Sequence, residues 1–359
     1  MKLFKFFITI IPVLVFFSCS EENQNIELDF SQTDMLGNYA NNIIKPSISD
    51  YQTSVTTLDE KVKAFVSNPT EETYDAAGSA FINAYQNWAT INAFQYGPAL
   101  ENAFLTSSNT FPTNYTELEA DIEAEKLNLG AVTANNKKGL PAVDYLLFKD
   151  DKTTVIEAFK ANAFRGEYLN AVVTDLLTKA TYVNDAWAGD YASTFAVNEG
   201  NDPSSSLSYI VNEYNKAFER CKNQRVGYPL GKNSLSGKSS PLSVEAYYGA
   251  NSLDLLRRNI TTLENVFKGY DGVGLDDYLT AYYNTGSIQE DLSAKILNQF
   301  AVINQKLDNC QNPFSNHIEA QDQTVEELYT EMSKLVVMIK SEMPSALSVK
   351  ITYQDSDGD

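Results

Sequence analysis

From Leu36 to Phe65 the apolar residues Leu36, Tyr39, Ile43, Ile44, Ile48, Tyr51, Val55, Leu58, Val62 and Phe65 recur at steps of three and four. Residues at that spacing share one face of a helix, so the stretch predicts a long amphipathic helix that needs helical partners. Pro46 interrupts the stripe and predicts a kink or a break there. The same period continues along the chain. "TEETYDAAGSAFINAYQNWATINAF" predicts a capped helix to about Phe94, ended by Gly97-Pro98. Residues 99–114 carry turn residues and predict irregular chain. A short helix follows near 115–127, then the Gly139 segment, then a striped run ending at Gly189. "GDYASTFAVNEGNDPSSSL" concentrates Gly, Asn, Asp, Pro and Ser and is the strongest break, with Ser204–Ser206 placed to cap the next helix. Helices are then expected at 205–223, 243–268, 274–283, 287–308 and 323–344. The loop "QRVGYPLGKNSLSGKSSPLS" between the first two is unusually long. No alternating strand pattern of convincing length competes. The expected fold is all-α, two packed helix bundles spanning 35–194 and 195–348.

The two ends bear on location. "MKLFKFFITIIPVLVFFSCS" pairs Lys2 and Lys5 with an apolar stretch too short to span a membrane dependably, which predicts an export signal over 1–18. Cys19 directly follows a small residue, as in the bacterial lipobox; the alternative is an ordinary signal-peptide cysteine. Lipidation at Cys19 would anchor the chain in a membrane, with 19–34 as a tether. The expected place is the cell envelope, at the outer membrane, facing the periplasm or the cell surface. An acidic tail is expected over 349–359.

A formal charge of −20 opposes nucleic-acid binding, which needs Lys and Arg against phosphate. It is compatible with cationic ligands or metal ions, and equally with solubility alone. The lone histidine, His317, rules out a multi-histidine zinc site within one chain and suggests a capping or surface role. Cys221 and Cys310 either form a disulfide in an oxidising compartment or remain two buried thiols.

"NYANNIIKPSISDY", "GLPAVDYLLF", "NDPSSSLS", "RVGYPLGK", "VEAYYGANSLDLL" and "GVGLDDYL" occur in this order. Together they resemble the imelysin-like proteins, the M75 peptidase family, over most of the chain. The resemblance implies a pair of four-helix bundles and a link to iron acquisition. It also implies a Gly-x-His-x-x-Glu motif, whose His and Glu share a helix face and can converge on one metal ion. Here Gly139 keeps the glycine, Pro141 stands for the histidine and Asp144 for the glutamate. Proline carries no ligand atom, and aspartate shortens the carboxylate's reach by a methylene. The expectation is a binding component and not a peptidase. A divergent metallopeptidase and a surface protein-interaction module are the alternatives.

The site is expected in the groove between the bundles, near Asp144, Trp88, Arg225 and Tyr228. Iron or another divalent metal, a small ligand or an envelope protein is the expected partner. Asp144 is either an oxygen ligand to metal or a first-turn carboxylate. Trp88 is either core or ligand platform. Arg225, with Tyr228, meets an anion in the cleft, or Arg225 holds Glu245 or another carboxylate in a structural pair.

Overall fold

The computed structural model describes residues 28–353 apart from Asn233, Leu235 and Ser236. The export signal, Cys19 and the tail beyond 353 lie outside the described residues. Every regular element among those described is helical. The first bundle is built from Lys45–Ser67, Glu71–Ile91, Gly139–Phe148 and Ala163–Ala188. The second uses Ser206–Glu219, Ser252–Phe267, Leu292–Asp308 and Gln323–Val337. The stripe expected over 36–65 is buried along its whole length. Thr70 and Thr73 bond each other's backbone amides in a capping box that starts the second helix.

The joint expected at residue 195 falls inside the Asp190–Val197 helix, where Phe195 is buried and stacks on Tyr96 at 5.6 Å. The connection itself is 198–205, where the Gly, Asn, Asp, Pro and Ser cluster lies, and Ser205 caps the next helix. One hydrophobic cluster runs through both bundles. The Ser252–Phe267 helix lies against Glu71–Ile91, and polar bonds pin the seam. Tyr39 donates to the Val266 carbonyl at 2.6 Å, and Asn92 Nδ2 to Asn259 Oδ1 at 3.0 Å.

The kink expected at Pro46 takes a specific form. Tyr39–Ile44 winds as a π helix directly before Lys45-Pro46. The same pairing recurs twice: Arg220–Gly227 precedes Tyr228-Pro229, and Met338–Glu342 precedes Met343-Pro344. Proline offers no N–H to the carbonyl four residues back and clashes with it. Widening the preceding turn to i→i+5 bonds relieves that clash without ending the helix.

Four expectations are corrected. Residues 99–114 contain two short helices, Pro98–Glu101 and Phe104–Ser108. The helix expected from 243 starts only at Ser252, because 244–251 folds back onto the first bundle, as described below. Residues 28–34 are not simple tether: Phe30 stacks on Tyr278 at 4.2 Å and Ser31 caps the Gln32–Asn38 helix. The start of the tail is docked as well. Val349 is buried, and Asn212, a buried amide that must find partners, bonds the Lys350 carbonyl and the Thr352 amide.

Cys221 and Cys310 form no disulfide. Cys221 sits in the core beside Arg225, its thiol pushed up to about 11 by burial, whereas Cys310 bonds the Lys306 carbonyl at the end of another helix. His317 bridges the Gln311 amide at Nε2 and Asp322 at Nδ1, tying a helix end to the following helix cap.

Candidate functional site

The site grows from the opening of the Gly139–Phe148 helix. Gly139 has φ +75°, and a Cβ there would lie 2.4 Å from the carbonyl oxygen of Ser108. Glycine is therefore demanded twice, by the left-handed backbone and by the close approach. Pro141 occupies the first turn, where amides have no helical partner, so it costs no hydrogen bond. Gly139→Ala is expected to destabilise the fold by about 2 kcal/mol or more, from the left-handed conformation and the overlap together. Chemical denaturation measures it, and a loss under about 0.5 kcal/mol would show that this close packing is relaxed in solution.

One turn on, Asp144 is buried and faces the second bundle's chain. Its Oδ2 accepts from the Tyr248 amide at 2.9 Å and its Oδ1 from the Gly249 amide at 3.0 Å. A Cβ on residue 249 would come 2.7 Å from Asp144 Oδ1, so glycine lets the loop reach the carboxylate. Ala246 and Ala250, on either side, hold φ of +48° and +54°, conformations that alanine rarely adopts. The strained loop is thus held down on Asp144. Burial pushes the Asp144 pKa up to about 7, against the two amide bonds that favour the charged form; the negative charge of Glu245 adds to the rise.

Glu245, at the start of this loop, is buried too. It takes Arg225 in a two-pronged pair, Nε to Oε2 at 2.6 Å and Nη2 to Oε1 at 2.9 Å. Asn109 Nδ2 donates to the same Oε1 at 2.6 Å, and Tyr85 orients Asn109 through its hydroxyl at 2.7 Å. Of the two roles open to Arg225, its contact with Glu245 is the one formed here. The network crosses between bundles through the Asn109–Glu245 bond: Tyr85 and Asn109 come from the first, Arg225 and Glu245 from the second.

Two cavities flank this network, separated by Phe111, Pro112 and Ser243, which line both. The smaller, about 200 Å³, is bounded by Pro141, Asp144, Tyr115, Tyr247 and Tyr248. The larger, about 270 Å³, is bounded by Asn109, Arg220, Gln224, Arg225 and Tyr228. Of the residues expected at the site, Asp144, Pro141, Arg225, Tyr228 and Glu245 converge here, with Gly139 packed at the helix opening behind them. Trp88 does not. It is fully buried between Tyr51 and Phe104, at 5.3 and 5.1 Å, and serves the core of the first bundle. Tyr115, Asn109, Arg220 and Tyr248 were not anticipated, because they join the site only through chain reversals and the π turn.

The donors do not suit a bound metal ion. Pro141 offers no ligand, both oxygens of Asp144 accept backbone N–H bonds, and both oxygens of Glu245 face Arg225 or Asn109. Among the described residues no group of three or more His, Cys, Asp or Glu side chains is arranged to hold one. Asp144, weighed as a metal ligand from its place in the motif, instead clasps a loop.

Two helical bundles sharing one core, with a polar seam and paired cavities at a glycine-opened helix, define an all-α two-bundle protein. The chain belongs to the imelysin family: the family model described as Peptidase_M75, Imelysin, matches residues 44–337. Iron-regulated protein A of Synechococcus elongatus is 24% identical over 287 residues, covering 75% of this chain and 70% of that protein. In fold, the chain is similar to a crystal structure of a candidate iron-regulated protein A precursor from Parabacteroides distasonis. The TM-score is 0.73 at 16% identity, over 88% of this chain and 95% of that one. An imelysin-like protein from Psychrobacter arcticum gives a TM-score of 0.70 at 19% identity, over 90% and 99% of the two chains.

Proposed function

We propose that this imelysin-family chain is a lipid-anchored envelope protein that binds a ligand at the seam between its bundles and does not cut peptides. The observation that carries the reading is the fate of Asp144. The motif position that resembles a metal-binding Glu holds a carboxylate, but its oxygens are engaged by the Tyr248 and Gly249 amides. A peptidase needs a metal-activated water or a nucleophile with a base, and neither is assembled from the side chains around Asp144. What the seam does offer is concave space with a few convergent polar groups, the usual form of a small-ligand site. The name of the Synechococcus relative speaks of regulation by iron, which supports a place in iron or metal acquisition for this chain. Cys19 supports the anchor.

The test is a peptide-hydrolysis assay on the purified mature protein, with and without added zinc or ferrous iron. No turnover above the blank is expected. Metal-dependent cleavage that disappears in Asp144→Ala would overturn the binding reading. Mass analysis of the N-terminal peptide from native membranes checks the anchor: acyl chains on Cys19 are expected, and an unmodified Cys19 would refute it.

A further inference from the structure

The larger cavity carries an inference that deepens the binding reading and rests on it. Arg220 and Arg225 both line that cavity, and among the described residues they are the only charged ones that do. They lie five residues apart on the π-helical segment Arg220–Gly227. In an α helix, residues five apart diverge, but an i→i+5 turn stacks them. The unusual winding therefore brings two guanidinium groups to one space.

Each guanidinium is only partly satisfied. Arg225, 3% exposed, gives Nε and Nη2 to Glu245 and lies against the Cys221 thiol, a weak acceptor, while its buried Nη1 has no oxygen or nitrogen partner. Arg220 gives Nη2 to Glu213 and the Asn92 carbonyl, yet its buried Nε has no partner. An unpaired buried N–H on a charged group is costly, and both belong to side chains that line the cavity, so an acceptor there would meet two incompletely satisfied guanidinium groups. Arg220 has Glu213, which it shares with the part-exposed Lys216, and Arg225 has Glu245, so each arginine beside the cavity keeps one carboxylate partner. The remaining walls are largely apolar, with Leu105, Phe111, Pro112 and the ring of Tyr228.

We infer that this cavity binds a small organic carboxylate, its oxygens between Arg220 and Arg225 and its apolar body against Phe111, Pro112 and Tyr228. Arginine's planar fork suits carboxylate geometry, and the aromatic and proline faces suit a flat apolar body. Benzoate is the simplest probe with both parts.

Calorimetric titration of the full mature protein at low ionic strength, with benzoate, acetate and inorganic phosphate, tests this. Benzoate is expected to bind, and acetate about tenfold more weakly for want of the apolar body. Thr106→Glu places a carboxylate at the exposed rim of the cavity without touching the buried pairs, and is expected to weaken benzoate at least about tenfold. Arg220→Gln, with its fold checked by circular dichroism, is expected to do the same. No benzoate heat up to about 10 mM would overturn the inference, as would unchanged binding in Thr106→Glu. Phosphate binding without benzoate binding would overturn the organic carboxylate as the ligand class. The outcomes separate from those of the hydrolysis assay. Benzoate binding with cleavage keeps this site and removes the non-proteolytic reading; neither binding nor cleavage does the reverse.

Discussion

Glu245→Ala is expected to destabilise the protein by about 3–5 kcal/mol, measured as the change in urea-unfolding free energy. The size follows from what is left behind. Arg225 is nearly fully buried and loses the carboxylate it is paired with, while Asn109 loses its acceptor. A guanidinium that cannot regain water pays most of its desolvation uncompensated. The control is the double replacement of Arg225 and Glu245 by methionine, which removes both charges and approximates their volume. It is expected to be much milder than Glu245→Ala alone, because a buried ion pair is often matched by well-packed apolar residues. A loss below about 1 kcal/mol for Glu245→Ala would mean that the seam opens and wets the pair in solution.

Asp144→Ala is expected to cost about 1–3 kcal/mol for each of the two amides it releases. It should also change how stability depends on pH. The native carboxyl titrates at about 7, above the ordinary 3.8 of an unfolded aspartate. Between those values the native state holds a proton that the unfolded state has lost. Stability from this group is therefore full below about pH 4 and declines as pH rises through about 7. Unfolding free energies at steps from pH 4 to 8 should fall by more in the wild type than in Asp144→Ala. Parallel profiles would show that water reaches Asp144 and that its pKa is unremarkable. Glu245, Tyr85 and Tyr248 also adjoin this group, but the tyrosines do not ionise in that window, since burial raises both above their usual range.

The helical architecture was legible because periodicity is a local property. The stripe from Leu36 to Phe65 needs no partner to be seen, and neither does the Thr70 cap; the Gly, Asn, Asp, Pro and Ser cluster was visible as a break, but the joint drawn at 195 fell inside the Asp190–Val197 helix. The site was only partly legible. "GLPAVD" marks a helix opening, and its glycine signals the conformation that Gly139 adopts. Asp144 was legible as a carboxylate one turn into that helix, but its partners were not visible. They are backbone amides of Tyr248 and Gly249, over a hundred positions away, and an amide leaves no residue-type signature. Trp88 was drawn toward the site by its sequence neighbourhood, yet helix rotation points it into the core.

Arg220 shows the limit most clearly. Counted along an α helix, it diverges from Arg225, and only the wide turn before Pro229 aligns them. Proline before a helix continuation is written in the sequence, but whether the chain breaks, kinks or widens depends on what packs around it.

By itself, then, the sequence determined the elements: their period, their caps, and the loss of an imidazole at Pro141. Tertiary structure decided which polar groups meet. Burial makes an unmatched polar atom costly, so the packed seam, and not the order of residues, selected Glu245 for Arg225, two amides for Asp144, and a cavity beside two arginines.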